Sequence, residues 1–462
     1  MRLLRRLFKS GQGLKIGLRF IGAGLFVMLN PLARADETPM YQTPYFDWGG
    51  HARLYDYQRW RDQNSERTTR ALAGGGDLKI NTHTLAGFSL GLGFYTENAL
   101  PPYRDDGPRR VNSSLIGPDE NHLNTFAEAY LQYQQGPFRA RLGRQLIDTP
   151  WANTDMYTML PRAFYGAAAD LSLLRSDGAK AAPLDWANAK PQLELSLARM
   201  TRYESRFDDA FTAGNRYDPD ANLPGLFVGG LKYRQQFSGG GIQAQAWTYQ
   251  FFDYAKLQYL EAGYQMPALM PMLRPYLKVQ YVHENEAGTQ ALGPVQAQVY
   301  GAKLGMDFDD GGVALVWDHA PIHYDSYRHG GLVHPYSDLS GTLYTDTMNN
   351  GLDNLGPGSA YGITGSWLFL QRALEMKLAY VRYRVEYGHS GNLYDRNGAY
   401  GFPANPTVSD QRQWGFDFGL TYQLGQLWAQ LRGLSVFNNI GIRSYSGGND
   451  FIDDRLGLVY GF

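Results

Sequence analysis

Four of the nine histidines fall in one stretch, His319, His323, His329 and His334, and imidazole is a common metal ligand. His319 and His323 have the four-residue spacing that would share one face of a helix. Pro321 stands between them and a strand-like run precedes them, so the stretch reads as an exposed mobile loop and not as a metal centre. Gly74-Gly75-Gly76 is no phosphate cradle, because no Gly-Lys-Ser/Thr follows; it reads as a flexible or bulged strand start. The more productive chemistry is basic. Arg139, Arg141, Lys232, Arg234, Lys278, Arg382, Arg384 and Arg432 all occupy the polar phase beside apolar neighbours. Arginine's forked donors suit carboxylates, and a row of such groups lets an anion step between equivalent sites. The plainer alternative is hydrophilic lining paired with acids opposite.

The elements that position these residues follow from composition. The chain has 462 residues, 54 glycines, 33 tyrosines and no cysteine. Without Cys there are no disulfides, thiolate metal sites, cysteine nucleophiles or lipid anchors on an N-terminal Cys. Arg2, Arg5, Arg6, Lys9, Lys15 and Arg19 lead to the apolar run Phe20–Leu29, and Ala33-Arg34-Ala35 has the A-x-A form of a cleavage site. We read residues 1–35 as a secretory signal peptide and 36–462 as a single domain. Removing the seven basic residues of the leader from the total of 43 leaves 36 against 44 acidic groups, a formal charge of −8. Such a chain lacks the positive excess of a nucleic-acid binder. After residue 35 no apolar stretch approaches the ~20 residues a membrane helix needs.

Alternation replaces it. Trp414, Phe416, Phe418, Leu420 and Tyr422 interleave with Gln413, Gly415, Asp417, Gly419 and Thr421, and Leu456, Leu458, Tyr460 and Phe462 with Arg455, Gly457, Val459 and Gly461. Leu277 and Val279 flank Lys278; Val381, Tyr383 and Val385 flank Arg382 and Arg384. This is the strand period. Short links at Gln135-Gly136-Pro137, Ser238-Gly239-Gly240, Asp309-Asp310-Gly311-Gly312 and Gly425-Gln426 alternate with long ones near 98–122, 203–225, 321–359 and 388–411. Short turns at one end and long loops at the other are the habit of a transmembrane β-barrel. The expectation is an all-β, antiparallel barrel of about 18 strands, its apolar phase toward outer-membrane lipid and its polar phase toward the lumen. Val459-Tyr460-Gly461-Phe462 resembles the terminal signal by which barrel-assembly machinery recognises such proteins.

Phe138-Arg139-Ala140-Arg141-Leu142-Gly143-Arg144-Gln145-Leu146-Ile147-Asp148-Thr149-Pro150, followed by Asp155 and Met159-Leu160-Pro161, resembles the OprD family of substrate-specific porins. Leu424-Gly425-Gln426-Leu427-Trp428-Ala429-Gln430-Leu431-Arg432 resembles that family's penultimate hairpin. The resemblance implies a bacterial outer-membrane location, homotrimers or monomers, no cofactor, and passive diffusion or selective uptake of small hydrophilic solutes, carboxylate-bearing, amino-acid-like or cationic. It also implies that the loop after Gln145 folds inward as a constriction, supplying Asp148, Trp151, Asp155 and Tyr157. Acids there would face the basic wall across a narrow aqueous gap. Gln430 stands where the family often carries a lumen arginine, which leaves the solute open. A polysaccharide export channel is the alternative, since such barrels also have arginine-lined lumens. Enzymatic outer-membrane barrels are mostly smaller than this chain would build, so no catalytic residues are expected.

Overall fold

The computed structural model describes residues 41–61, 68–101, 112, 115–116, 122–154, 157–174, 192–237, 240–270, 273–337, 342–386, 411–445 and 450–462. The leader, Asp155 and most of the segment 388–411 lie outside them. The strands are β1 (Tyr41–Gln42), β2 (Phe46–Arg61), β3 (Thr69–Thr82), β4 (Phe88–Ala99), β5 (His122–Gln135), β6 (Phe138–Gln145), β7 (Ala163–Leu174), β8 (Gln192–Glu204), β9 (Leu226–Phe237) and β10 (Gly240–Phe251). They continue with β11 (Ala255–Gln265), β12 (Arg274–Glu286), β13 (Gln296–Phe308), β14 (Gly311–Ala320), β15 (Gly358–Phe369), β16 (Leu374–Val385), β17 (Gln411–Gln423), β18 (Leu434–Tyr445) and β19 (Phe451–Gly461). β1 is a stub on the start of β2. The remaining 18 of the 19 strands pair antiparallel with their chain neighbours, and β19 closes the ring on β2.

Closure is dictated by the backbone: an open edge in lipid would strand N–H and C=O groups at several kcal/mol each. The last residue completes the seam, because Gly50 and Phe462 exchange both backbone hydrogen bonds at 3.0 Å. The Phe462 ring lies 6.3 Å from Trp48, an aromatic pair at the depth where barrels carry interfacial rings. Gly75 and Gly76 sit within β3, not at a strand start. A side chain on Gly76, with φ of 149°, would strike the carbonyl of His51, and one on Gly75 that of Thr96.

The two faces separate by register. On β17, Asp417 meets a segment packed inside the barrel, so Trp414, Phe416, Phe418 and Leu420 point outward. Leu260, Leu277, Val279, Leu304 and Leu315 are exposed on the same outer surface, as a lipid-facing wall requires. Most described connections at the end where β2 begins and β19 finishes are tight, such as Asp309–Asp310 between β13 and β14. Among the described residues two depart from that: β11 and β12 are separated by residues 266–273, and β17 and β18 are joined through a helical turn, Leu424–Leu427, and a 3-10 turn, Ala429–Leu431. The stretch Leu424–Arg432 is therefore wholly the connection of the β17–β18 hairpin.

Candidate functional site: the inner wall and the segments packed against it

Five of the eight bases singled out by sequence lie on the inner face, in the half nearer the short turns. Arg139 bonds Asp170 at 2.6 Å. The Arg141 guanidinium is 5.4 Å from the Tyr130 ring and the Lys232 ammonium 5.2 Å from Trp247. Arg234 pairs in register with Gln243, two residues along from Lys232 opposite Gln245. Lys278 lies 4.0 Å from Glu261.

The other three are elsewhere. Arg382 and Arg384 do share one side, but it is the outer one: Arg382 stands opposite the outward Trp414, and Arg384 opposite Arg412. Tyr383, between them, is buried and bonds Thr345 and Asn350 of an internal segment. The arginines are tolerated because β16 ends at Val385, where the wall meets the headgroup layer. There a long side chain reaches water along its stem, and Arg382 also donates to the Tyr380 hydroxyl at 2.9 Å. Arg432 lies after the 3-10 turn between β17 and β18, exposed, outside any strand and outside the lumen.

Sequence reading passed over a second basic strip at the seam. Arg59 and Arg455 bond the same buried oxygen of Asp453 at 2.8 and 3.0 Å, and Arg443 donates to the Asn349 carbonyl at 3.1 Å. Arg53 pairs with Asp77 and donates to the Met159 carbonyl at 3.2 Å. Arg455 was legible, since it alternates with Leu456 and Leu458. Arg53 and Arg59 flank Leu54-Tyr55-Asp56-Tyr57-Gln58, where the outward polar residues Asp56 and Gln58 blur the period.

Two connecting segments pack against inward-facing side chains. In 146–162, Trp151 is fully buried, its backbone N–H donates to the Tyr249 hydroxyl at 3.3 Å, and its ring meets Tyr259 and His334. Tyr157 accepts from the Tyr57 hydroxyl through its carbonyl, and its ring lies between the guanidinium groups of Arg206 at 3.6 Å and Arg455 at 4.9 Å. Burial raises the Asp148 carboxyl above its ordinary range, and nearby Lys232 opposes that. Pro150 and Pro161 keep this segment from extending the flanking strands.

The second segment, 321–357, carries the histidine stretch. Apart from Tyr324 and Asp325, its described residues are packed and not exposed. His334 is 1% accessible, Arg216 reaches its Nδ1 at 3.0 Å, and the Asp353 carbonyl lies 3.3 Å from Nε2. Burial, with Arg216 beside it, lowers its pKa to about 4. His319 instead faces outward beside Trp317, bonded to Ser359.

A backbone folded away from water must find partners for its N–H groups, and wall carboxylates provide them. Glu284 accepts from Val333 N at 2.7 Å, Asp318 from Thr345 N at 2.7 Å, Asp417 from Met348 N at 2.6 Å and Glu97 from Met159 N at 3.3 Å. Each bond gives a buried N–H the acceptor that water cannot supply there. These four wall acids thus hold loops and do not line open water. Among the described residues no three His, Asp or Glu groups are placed to share a metal ion. Gly87-Phe88-Ser89-Leu90-Gly91 has the letters of a nucleophile elbow, but it opens β4, and Ser89 pairs with Gln132 in the sheet, not on a strand-to-helix turn.

No family model and no curated protein matches this sequence. Solved structures do. OpdK of Pseudomonas aeruginosa, determined with vanillate, is 15% identical, with a TM-score of 0.67 over 89% of this chain and 98% of that one. OccK2 (OpdF) of the same organism, determined with glucuronate, is 14% identical, with a TM-score of 0.65 over 90% of this chain and 97% of that one. A BenF-like porin from Pseudomonas fluorescens Pf-5 is 13% identical, with a TM-score of 0.67 over 90% of this chain and 98% of that one. This chain has the fold of an outer-membrane porin. In such a porin the short-turn end of the barrel is periplasmic and the long-loop end extracellular.

Proposed function

We propose that this porin-fold chain admits small carboxylate-bearing solutes across the bacterial outer membrane by passive diffusion. The observation that carries the reading is the placement of bases on the inner wall at two levels. Arg59, Arg443 and Arg455 lie at the seam toward the long loops, and Arg139, Arg141, Lys232, Arg234 and Lys278 lie toward the short turns. The segments 146–162 and 321–357 narrow the route between them, with Trp151 and Tyr157 as the bulk on the first. A solute anion exchanges water for one guanidinium, then for the next base. Several weak steps conduct where one deep site would trap. Low-dielectric walls focus this field even in a chain with an acidic total. The vanillate and glucuronate of the OpdK and OccK2 structures are both carboxylates, in keeping with this reading.

The test is reversal potential in planar bilayers under a salt gradient, together with uptake into liposomes of a carboxylate and its neutral amide. Anion preference that strengthens at low salt and faster uptake of the carboxylate support the reading. Equal uptake of the two solutes with cation preference overturns it.

A further inference from the structure

A groove of about 430 Å³ crosses the outer wall over β5 to β9. Ala140 stands opposite Ala169, and Leu142 opposite Ala167, across β6 and β7. The alanines form the floor, and Tyr133 and Leu197 form the walls. This is the outward phase: Leu142 is 59% exposed, whereas Arg139 and Arg141 on the same strand meet Asp170 and Tyr130 inside. In a membrane barrel that face meets hydrocarbon. A hollow in it is filled by an acyl chain, because a void would forfeit dispersion contacts and water would find no polar partners there.

The two ends of the groove differ in chemistry. Toward the short turns it meets the rings of Phe88 and Tyr133, 4.8 Å apart, which suit the aromatic girdle of the periplasmic interface. Toward the long loops it is basic. Arg199 lines that end, in register with Ala167 and Phe227. Beyond it Arg144, Tyr165 and Arg202 stand side by side on β6, β7 and β8. At about 4.8 Å per strand the two arginine Cα atoms lie roughly 10 Å apart, a gap that their side chains can close on a single phosphate. Two of the three arginines are already anchored. Arg199 donates to the Met200 and Leu226 carbonyls at 2.7 and 3.2 Å and lies 4.6 Å from the Phe252 ring. Arg144 donates to the Phe126 carbonyl at 3.4 Å. Arg202 is exposed and has no hydrogen bond or ion pair among the described residues. Glu204, two residues on, is buried and bonds Thr125 at 2.9 Å.

We propose that this face binds one phosphorylated, acylated glycolipid of the outer leaflet, of the lipid A type. An acyl chain lies in the alanine-floored groove, and a sugar phosphate accepts from Arg144, Arg199 and Arg202, whose forked donors match its oxygens. The outer leaflet is the source because the arginines sit at the long-loop end of the wall. No bond is made or broken. The inference needs only the porin fold and its orientation, and is independent of what the lumen carries.

The experiment titrates the full chain, folded in detergent, with diphosphoryl lipid A and reads retention by native mass spectrometry. The same lipid stripped of phosphate and a phosphatidylcholine are the controls. Wild type should retain one diphosphoryl lipid A at concentrations where neither control stays bound. Arg202→Gln breaks no contact within the chain and should weaken retention about tenfold, as for loss of one charge-assisted bond; Arg202→Lys should restore part of it. Ala169→Trp fills the groove without touching the arginines and should weaken retention comparably. Arg372→Gln, at a short turn and bonded to Asp310 at 3.0 Å, should leave it unchanged. Heat-modifiable gel migration confirms that each variant is folded, and conductance should be that of wild type in all of them. If either Arg202→Gln or Ala169→Trp retains the lipid as wild type does, or if the phosphate-free lipid is retained equally well, the site is wrong and the face carries ordinary solvating lipid.

Discussion

Arg384 and Arg455 are arginines in alternating strands, both in the half of the wall nearer the long loops, yet they face opposite sides. Arg455 points inward, joined to Asp453 and set over the rings of Tyr57 and Tyr157. Arg384 points outward, while its neighbours Tyr383 and Val385 are buried inside. The difference lies in what fills the lumen beside each strand. Next to β16 residues 345–350 pack against the inner face at Tyr383, so that face is apolar and the outer face, toward the strand end, is basic. Apolar alternation marks burial, and burial against a folded-in loop looks the same in a sequence as burial against lipid.

The largest test of this contrast is Arg455→Ala. It leaves a buried Asp453 with Arg59 alone and should cost about 3 kcal/mol, read by urea unfolding in detergent micelles; the reversal potential should move toward cations at low salt. A loss below about 0.5 kcal/mol would mean that the seam strip is ordinary solvated lining. Phe418→Arg, on the outer face well below the β16 arginines, should cost about 2–4 kcal/mol if it lies near mid-membrane. Normal assembly of that variant would undo the face assignment of β17.

His334 tests the loop packing through pH. Its folded value of about 4 lies below the ordinary 6.5, so the folded state holds the neutral form. Its contribution is complete above pH 6.5 and is lost as pH falls toward 4, up to roughly 3 kcal/mol. Hydrogen exchange over 333–348 should quicken across that window, and His334→Gln should flatten the response. Tyr383→Phe, which removes the hydroxyl bond to the Thr345 carbonyl at 2.6 Å, should loosen the same segment by about 1 kcal/mol, seen as noisier open-channel current. The smallest effect belongs to Arg384→Ala: stability within about 0.5 kcal/mol of wild type and unchanged ion selectivity. A clear selectivity change there would restore a lumen role to the outer arginine.

The periodic parts of the wall were readable because one face met lipid and the other water. Leu277-Lys278-Val279 and the run from Gln413 to Tyr422 follow that rule, and their faces come out as the alternation implies. Arg432 failed for a local reason: Leu424 to Leu431 curls into two short turns, and a period-two reading has no meaning off a strand. The carboxylates that hold the loops were hidden more deeply. Glu97, Glu284 and Asp318 look like any lumen acid until the backbone N–H groups of Met159, Val333 and Thr345 arrive from distant segments.

By itself the sequence determined a closed antiparallel barrel, the number of its strands and the two ends at which turns and loops collect. These follow from alternation, chain length and the demand that every backbone group in lipid be paired, all of which are local or additive. Which arginines face the channel, which face lipid and which acids clamp loops were decided only by tertiary structure. A side chain's surroundings in the lumen come from segments far away in the chain, and no local period records what those segments will cover.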